Sequence, residues 1–137
     1  MRQLRLLALA LLAAAWLAPP GQARAQQATV VAINQCAQAL SLLVSVVSEG
    51  GERQTRGWFR LAAGSEQILY LANGDPVTHR TAMPFYIYAT NADDSVTWSD
   101  QDLLIQWQGR GYAMQERDLL VVEGTGPFVL RAVRFAC

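Results

Sequence analysis

The chain has one histidine, His79, where a search for catalytic chemistry naturally begins. A nucleophilic triad would need His79 beside a carboxylate such as Asp75 and a serine that it could activate. The sequence has no G-x-S-x-G nucleophile elbow, and the Asn-Gly-Asp-Pro run at 73–76 is typical of a loop. We therefore predict that His79 is a solvated loop residue, and we assign no catalytic residue.

A group of oxygen-bearing side chains could in principle bind Ca²⁺, which takes oxygen ligands from loops. The group consists of Asn91, Asp93, Asp94 and Ser95, with Asp100 and Asp102 further along the chain. Their spacing differs from that of an EF-hand and lacks its terminal glutamate, whereas acidic turns between strands are common. Paired carboxylates for glycoside hydrolysis would have to face each other across a cleft, but these acids fall in predicted turns. We expect no metal and no cofactor.

Aromatic side chains give the strongest indication of a function. They exceed what a small core easily accommodates, and the tryptophans and tyrosines that matter here are Trp58, Trp98, Trp107, Tyr70, Tyr86, Tyr88 and Tyr112. On an outer sheet face such rings could stack on a sugar, a peptide or a protein partner. The alternative, which is commoner in β-sheets, is that they fill the core or pair across strands.

Alternation along residues 85–90 divides the most aromatic segment into two faces. It places Tyr86 and Tyr88 on one face and a smaller, more apolar set on the other, namely Phe85, Ile87 and Ala89. We predict that Tyr86 and Tyr88, with Trp98 on the following strand, form part of a binding surface. Gly57 and Trp58 are instead expected to be structural, and Trp58 to be buried, because they lie in a predicted central hairpin.

The two cysteines, Cys36 and Cys137, lie near the two ends of the chain that remains after a predicted export signal is removed. In an oxidising compartment, two thiols in a small domain predict one disulfide. A metal or redox pair is the alternative, but the chain has no C-x-x-C motif and only one histidine. The bond would tie the first strand to the last.

Residues 1–25 have the features of a cleaved signal peptide. Arg2 and Arg5 precede a Leu- and Ala-rich run that is too short to span a bilayer, and Ala23-Arg24-Ala25 is a cleavage site before Gln26. We therefore predict a periplasmic or secreted protein with no transmembrane segment in the mature chain. Of the 11 basic residues the leader removes three, which leaves 8 against 11 acidic residues, so a nucleic-acid partner is not expected.

The remaining 112 residues, which are 137 less 25, suit a single domain. Turn signals recur roughly every eight to twelve residues and no amphipathic helix follows the leader, so we predict an all-β, single-domain antiparallel sandwich or small barrel. Residues 55–71 are predicted to form its central hairpin, turning at Gly64 and Ser65. Residues 39–48 are predicted to be a half-buried strand, and residues 77–83 a loop.

Several short motifs occur in the order seen in a family of small exported bacterial proteins. They are Asn34-Gln35-Cys36, Arg56-Gly57-Trp58-Phe59, Gly64, residues 85–89, Trp98, Arg110-Gly111-Tyr112 and a closing strand with Phe128. In these motifs the chain resembles domain of unknown function 1036, over nearly all of residues 28–135. Between Trp98 and Arg110 the family often has further cysteines that this chain lacks. The resemblance implies an exported β-rich domain and no established activity.

The sequence as a whole predicts an exported cell-envelope protein with a non-enzymatic binding or structural role. The partner would be an envelope protein or a glycan. One alternative is a small hydrolase acting on envelope material, which a cleft lined with acids would favour. Another is a periplasmic small-ligand carrier, which an apolar internal cavity would favour.

Overall fold

The computed structural model describes residues 26–122 and 129–137. The expected signal peptide, residues 1–25, lies outside the described residues, as does Phe128 of the expected closing strand. The described part contains no helix and forms the strands β1 (Gln27–Asn34), β2 (Leu40–Val47), β3 (Arg53–Leu61), β4 (Glu66–Ile68), β5 (Thr78–Arg80), β6 (Phe85–Asn91), β7 (Thr97–Trp98), β8 (Leu103–Trp107), β9 (Arg110–Arg117), β10 (Leu120–Val122) and β11 (Leu130–Phe135). The predicted all-β class is confirmed.

The strands form two sheets. The first sheet has the order β10-β11-β1-β4, with β5 also paired to β1, and the second has the order β3-β2-β6-β9-β8, with β7 also paired to β6. Among the strands of the described residues, only β1 and β11 run parallel, from Thr29 opposite Leu130 to Asn34 opposite Phe135. The second sheet is antiparallel and curls into a half-barrel. Within residues 26–122 and 129–137, no helix is long and apolar enough to cross a membrane.

The core lies between the sheets and uses the alternation predicted for β2 and β6. Its buried residues include Leu40, Leu42, Val44 and Val46 from β2, Phe85, Ile87 and Ala89 from β6, and Val30, Ala32, Val133 and Phe135 from the first sheet. The second face of β2 was expected to be only partly covered. In the structure Leu43, Ser45 and Val47 on that face are buried too, and Tyr88 and Tyr86 of β6 lie opposite Leu43 and Ser45.

The prediction that residues 55–71 form one hairpin is wrong. β3 pairs with β2 in the second sheet, whereas β4 pairs with β1 in the first. The turn around Gly64 therefore carries the chain from one sheet to the other. The turn predicted at Gly64 and Ser65 is present. The pairing partner of each strand, however, depends on burial of its apolar face against residues that are distant in the sequence.

Two strands were not anticipated from the sequence. β5 lies inside the segment that was predicted to be a loop, and its backbone pairs with the start of β1. β9 has a weak strand pattern that includes Gly111 and several charged residues, yet it pairs with both β6 and β8. Pairing on both sides stabilises a segment whose own sequence indicates a strand only weakly.

The predicted bond between Cys36 and Cys137 is present and spans a sequence separation of 101. Each cysteine follows the end of one of the two parallel strands, β1 and β11, so the bond joins these strands at their C-terminal ends. Asn34, at the end of β1, is fully buried beside the bond. Its side-chain amide donates to the carbonyl oxygens of Gln38, Leu61 and Ala62, and its Oδ1 accepts from the Cys36 backbone N–H at 2.9 Å.

Candidate functional site

A β-bulge in β3 shapes the site. Leu42 lies opposite Phe59 and Val44 opposite Arg56, so two residues of β3 face the single residue between them on β2. Those two residues are Gly57 and Trp58. A Cβ atom on Gly57 would come within 2.6 Å of Leu43 Cδ2 and 2.9 Å of the Leu42 carbonyl oxygen. Only glycine allows this close approach, and a bulge typically re-aims the neighbouring side chain.

The Trp58 ring packs against two tyrosines of the second sheet. Its centroid is 6.0 Å from that of Tyr88 on β6 and 5.5 Å from that of Tyr112 on β9, and the two tyrosine rings are 5.0 Å apart. All three contacts are edge-to-face, the geometry that aromatic quadrupoles favour. The Arg110 guanidinium lies 5.3 Å above Tyr112. These contacts fix the orientation of Trp58 without covering it.

Beside Trp58 lies an open groove of about 600 Å³, which we call the aromatic groove. It is lined by Arg56, Gly57, Trp58, Phe59, Tyr70, Leu71, Ala72, Asn73 and Trp107. Trp58 is 41% exposed and Tyr70 is 54% exposed, so both rings present area to solvent. Trp107 approaches from the tip of the β8–β9 hairpin, and its buried Nε1 has no hydrogen-bond partner in the described part of the chain.

The expectation that Trp58 is buried is therefore wrong. The bulge and the edge position of β3 leave part of the indole in solvent, while Tyr88 and Tyr112 support its other side. The structural role expected for Gly57 is consistent with the lack of space for any side chain there. Sequence alternation alone could not show the bulge, which shifts the register by one residue.

The three residues predicted to form one binding surface are separated in the structure. Tyr86 and Tyr88 do share a face, opposite Phe85 and Ile87 as expected, but Trp98 pairs with Ala89 on the core side and packs against Phe135 at 5.4 Å. Trp98 was thus assigned to the wrong face, because the pairing register of its two-residue strand is set by β6 rather than by its own sequence.

The two tyrosines themselves have different surroundings. Tyr86 lies under the guanidinium of Arg53 at 4.8 Å, whereas Tyr88 supports Trp58. Neither residue lines the aromatic groove. Their direct role in binding stays a prediction, and the structure connects only Tyr88 to the groove, through the Trp58 ring.

The prediction that His79 is a solvated loop residue is also wrong. It lies on β5 and is 1% exposed. The backbone N–H of Val47 donates to Nδ1 at 3.0 Å, which assigns the proton to Nε2, and Nε2 donates to the Met83 carbonyl at 2.9 Å. Burial lowers the pKa of His79 below its ordinary value of 6.5, against the opposing effect of the Met83 hydrogen bond.

His79 borders a second open cavity, of about 580 Å³, whose charged lining residues are Glu116, Arg117, Asp118 and Arg131. Acidic and basic side chains alternate in this lining, so their charges offset one another. Both ring nitrogens of His79 are engaged with the backbone, which leaves no free nitrogen to act as a general base. The cavity therefore offers little support for the alternative of a hydrolase.

The acidic turn after β6 is held together by its own hydrogen bonds. Thr90 Oγ1 donates to Asp94 Oδ1 at 2.8 Å, Ser95 Oγ donates to Asp93 Oδ1 at 2.7 Å, and Asn91 Nδ2 donates to Ser95 Oγ. The hydrogen bonds from Ser95 lower the pKa of Asp93. Among the residues that the structure describes, no group of three or more His, Cys, Asp or Glu side chains is placed to hold a metal ion.

Comparison with protein-family models, with curated proteins and with solved structures finds no match to this chain. The resemblance to domain of unknown function 1036 stays a prediction. The geometry of the aromatic groove therefore carries the functional conclusion.

Sequence reasoning placed Trp58, Tyr70 and Trp107 among the aromatic residues of interest but did not bring them together. They lie on three separate segments, which are β3, the loop after β4, and the end of β8. Arg56 was noticed only within a family motif. The sequence feature that could have indicated Arg56 as a groove residue is its position two residues before Trp58 on an edge strand. That feature is weak evidence, because charged residues are common on edge strands.

Proposed function

We propose that the protein is an exported, non-enzymatic binding protein of the cell envelope and that it binds a glycan in the aromatic groove. The observation that carries this proposal is the pair of exposed rings, Trp58 and Tyr70, on one groove with Trp107 at its end. A pyranose has an apolar face of C–H groups that packs on an aromatic ring, while hydrogen-bond donors at the ring edge meet its hydroxyls.

The packing of two tyrosines against the Trp58 ring makes this ring suitable for stacking on a sugar. Because Tyr88 and Tyr112 already restrict its orientation, little side-chain freedom remains to be lost when a ligand binds. The groove also has hydrogen-bond donors near the rings, since the Arg56 guanidinium lines it.

A peptide that adds a strand to the edge of β3 is the competing occupant. The bulge interrupts the regular ladder there, and bulges protect sheet edges from strand addition. Beyond the bulge, the carbonyls of Arg60 and Leu61 already accept hydrogen bonds from the side chains of Gln67 and Asn34. Two backbone carbonyls at this end of β3 are thus already engaged, which favours a ligand held by ring faces over an added strand.

The test is a glycan array probed with the mature protein, alongside a library of extended peptides. The array carries oligosaccharides in pairs of equal length and linkage, one neutral and one with uronic acids. We expect glycan binding that Tyr70→Ala and Trp58→Ala each weaken by about tenfold or more. Leu104→Ala is the matched control, because Leu104 is 72% exposed and lies outside the groove.

Circular dichroism should show that the variants are folded. Tyr70→Ala is the safer variant, because Trp58 also contributes to packing with two tyrosines. Binding to peptides alone, or glycan binding that neither groove variant weakens, would overturn the proposal.

A further inference from the structure

Arg56 gives the aromatic groove a positive charge. Its side chain lines the groove and is half-buried. Among the described residues its one side-chain hydrogen-bond partner is Gln54 Oε1, the oxygen of a neutral amide. The guanidinium has five N–H donors in a planar fork, so most of them are left for another partner.

The other polar groups of the groove do not supply a negative charge to balance Arg56. The Asn73 amide lines the groove but is engaged with Asp75, to which its Nδ2 donates at 3.1 Å and from whose backbone it accepts. Asp75 itself is not a lining residue. The Tyr70 hydroxyl is neutral, and the Trp107 Nε1–H is buried rather than presented to the groove. The charged group that the groove offers to a ligand is thus the Arg56 guanidinium.

On these grounds we propose that the ligand is an acidic oligosaccharide whose sugar units are uronic acids. This inference rests on the proposed function and names its ligand class. In a uronic acid the carboxylate is attached directly to the pyranose ring, so one sugar can stack on Trp58 while its carboxylate reaches Arg56. The two residues stand on either side of Gly57 in the β-bulge, and both line the same groove.

The arrangement also explains why the groove does not suit a cationic ligand. Aromatic rings that face solvent can bind an ammonium group through cation–π attraction. A guanidinium on the same groove would repel that group at short range in a partly desolvated site. Arg56 therefore selects for a carboxylate, with which it can form two parallel charge-assisted hydrogen bonds.

The inference is tested with one matched pair of ligands, α-1,4-linked tetragalacturonate and α-1,4-linked galactotetraose. They differ only in a carboxylate in place of a hydroxymethyl group on each sugar. By titration calorimetry at low salt, tetragalacturonate should bind about tenfold more tightly or better. The advantage should shrink as salt is raised, because exposed charge pairs are screened.

Arg56→Gln should remove the preference for the acidic ligand, so that the variant binds the two ligands with similar affinity. Arg60→Gln is the matched control, since Arg60 is exposed on the same strand and does not line the groove. If the wild type binds both ligands equally, or if the preference survives in Arg56→Gln, the inference is overturned while the glycan proposal stands. Loss of all binding to both ligands and to the array overturns both.

Discussion

Two buried polar side chains, Asn34 and His79, each join segments that are distant in the sequence. Asn34 connects the end of β1 to the end of β3, and His79 connects β5 to β2 through the Val47 N–H. Buried polar groups of this kind are costly unless every hydrogen-bonding atom has a partner. Both residues satisfy that condition, so each should stabilise the packing of one segment on another.

Asn34→Ala should lower the free energy of unfolding by about 2–3 kcal/mol. The substitution leaves the buried Cys36 N–H without its acceptor and removes donors from three carbonyls. Urea unfolding of oxidised protein measures the change. Asn73→Ala is the control, because Asn73 is exposed and should shift stability by less than about 0.5 kcal/mol. Equal stability of the two variants would show that the Asn34 hydrogen bonds do not contribute.

His79 should make stability depend on pH in a mildly acidic window. Its pKa is lowered in the folded protein, so the unfolded chain binds the proton more readily below 6.5. The contribution of neutral His79 to the free energy of unfolding is therefore complete above pH 6.5. It is lost as the pH falls from 6.5 through the pKa of His79 in the folded protein. Protonation would place an N–H on Nδ1 against the Val47 N–H.

The measurement is the free energy of unfolding at about pH 7.5 and about pH 5.5, where few carboxylates titrate. We expect the wild type to lose stability at the lower pH, and His79→Gln to lose much less. The same pH dependence in both proteins would rule out His79 as its source.

At the scale of strands, patterns within one strand were more predictable than partners between strands. Alternation assigned Phe85 and Ile87 to the core and Tyr86 and Tyr88 to the other face, because side chains on a strand alternate wherever the strand is placed. The exposure of Trp58 was missed because it depends on a bulge, which is a property of the β2–β3 pair. The same limitation explains why Trp98 was assigned to the wrong face.

Gly57→Ala should destabilise the protein more than Gly64→Ala. Both glycines have positive φ, but only at position 57 would the new Cβ meet Leu43 Cδ2 and the Leu42 carbonyl, whereas at position 64 it meets nothing within 4 Å. We expect a loss of about 2–3 kcal/mol for Gly57→Ala, from overpacking and backbone strain together. Gly64→Ala should lose about 1 kcal/mol from the backbone term.

Denaturant unfolding of the two variants provides the comparison. Because Trp58 follows Gly57, Gly57→Ala should also weaken glycan binding if the bulge orients the ring. Equal losses of stability for the two glycines would mean that β3 can move away from β2 at no cost.

At the scale of the whole molecule, the aromatic groove exists because the second sheet curls. Trp107 at the tip of the β8–β9 hairpin and Trp58 on β3 line the same groove, although β3 and β8 are the two ends of that sheet. The all-β class was predictable from the spacing of turn signals, and the Cys36–Cys137 bond from the cysteine count. The groove was not, since it requires β9 to be recognised as a strand and the curvature of five paired strands to be known.

Loss of the Cys36–Cys137 bond should affect the molecule as a whole rather than one strand. The bond closes a loop with a sequence separation of 101, and in the chain-entropy account such a loop contributes about 4–5 kcal/mol by restricting the unfolded chain. A small domain has little stability to spare, so most of its margin would be lost.

The double variant Cys36→Ala with Cys137→Ala should therefore unfold at a much lower urea concentration than the oxidised wild type. Wild type unfolded in the presence of a thiol reductant is the control, and it should match the double variant, because both lack the same restriction on the unfolded state. The parallel pairing of β1 with β11 should survive in the folded fraction, since the Gln35 N–H donates to the Phe135 carbonyl independently of the sulfur atoms.

Labelling of free thiols in denatured, non-reduced wild-type protein tests the bond itself by counting the unpaired cysteines. Two labelled cysteines per chain would contradict the bond, and an unchanged unfolding midpoint in the double variant would contradict its contribution to stability.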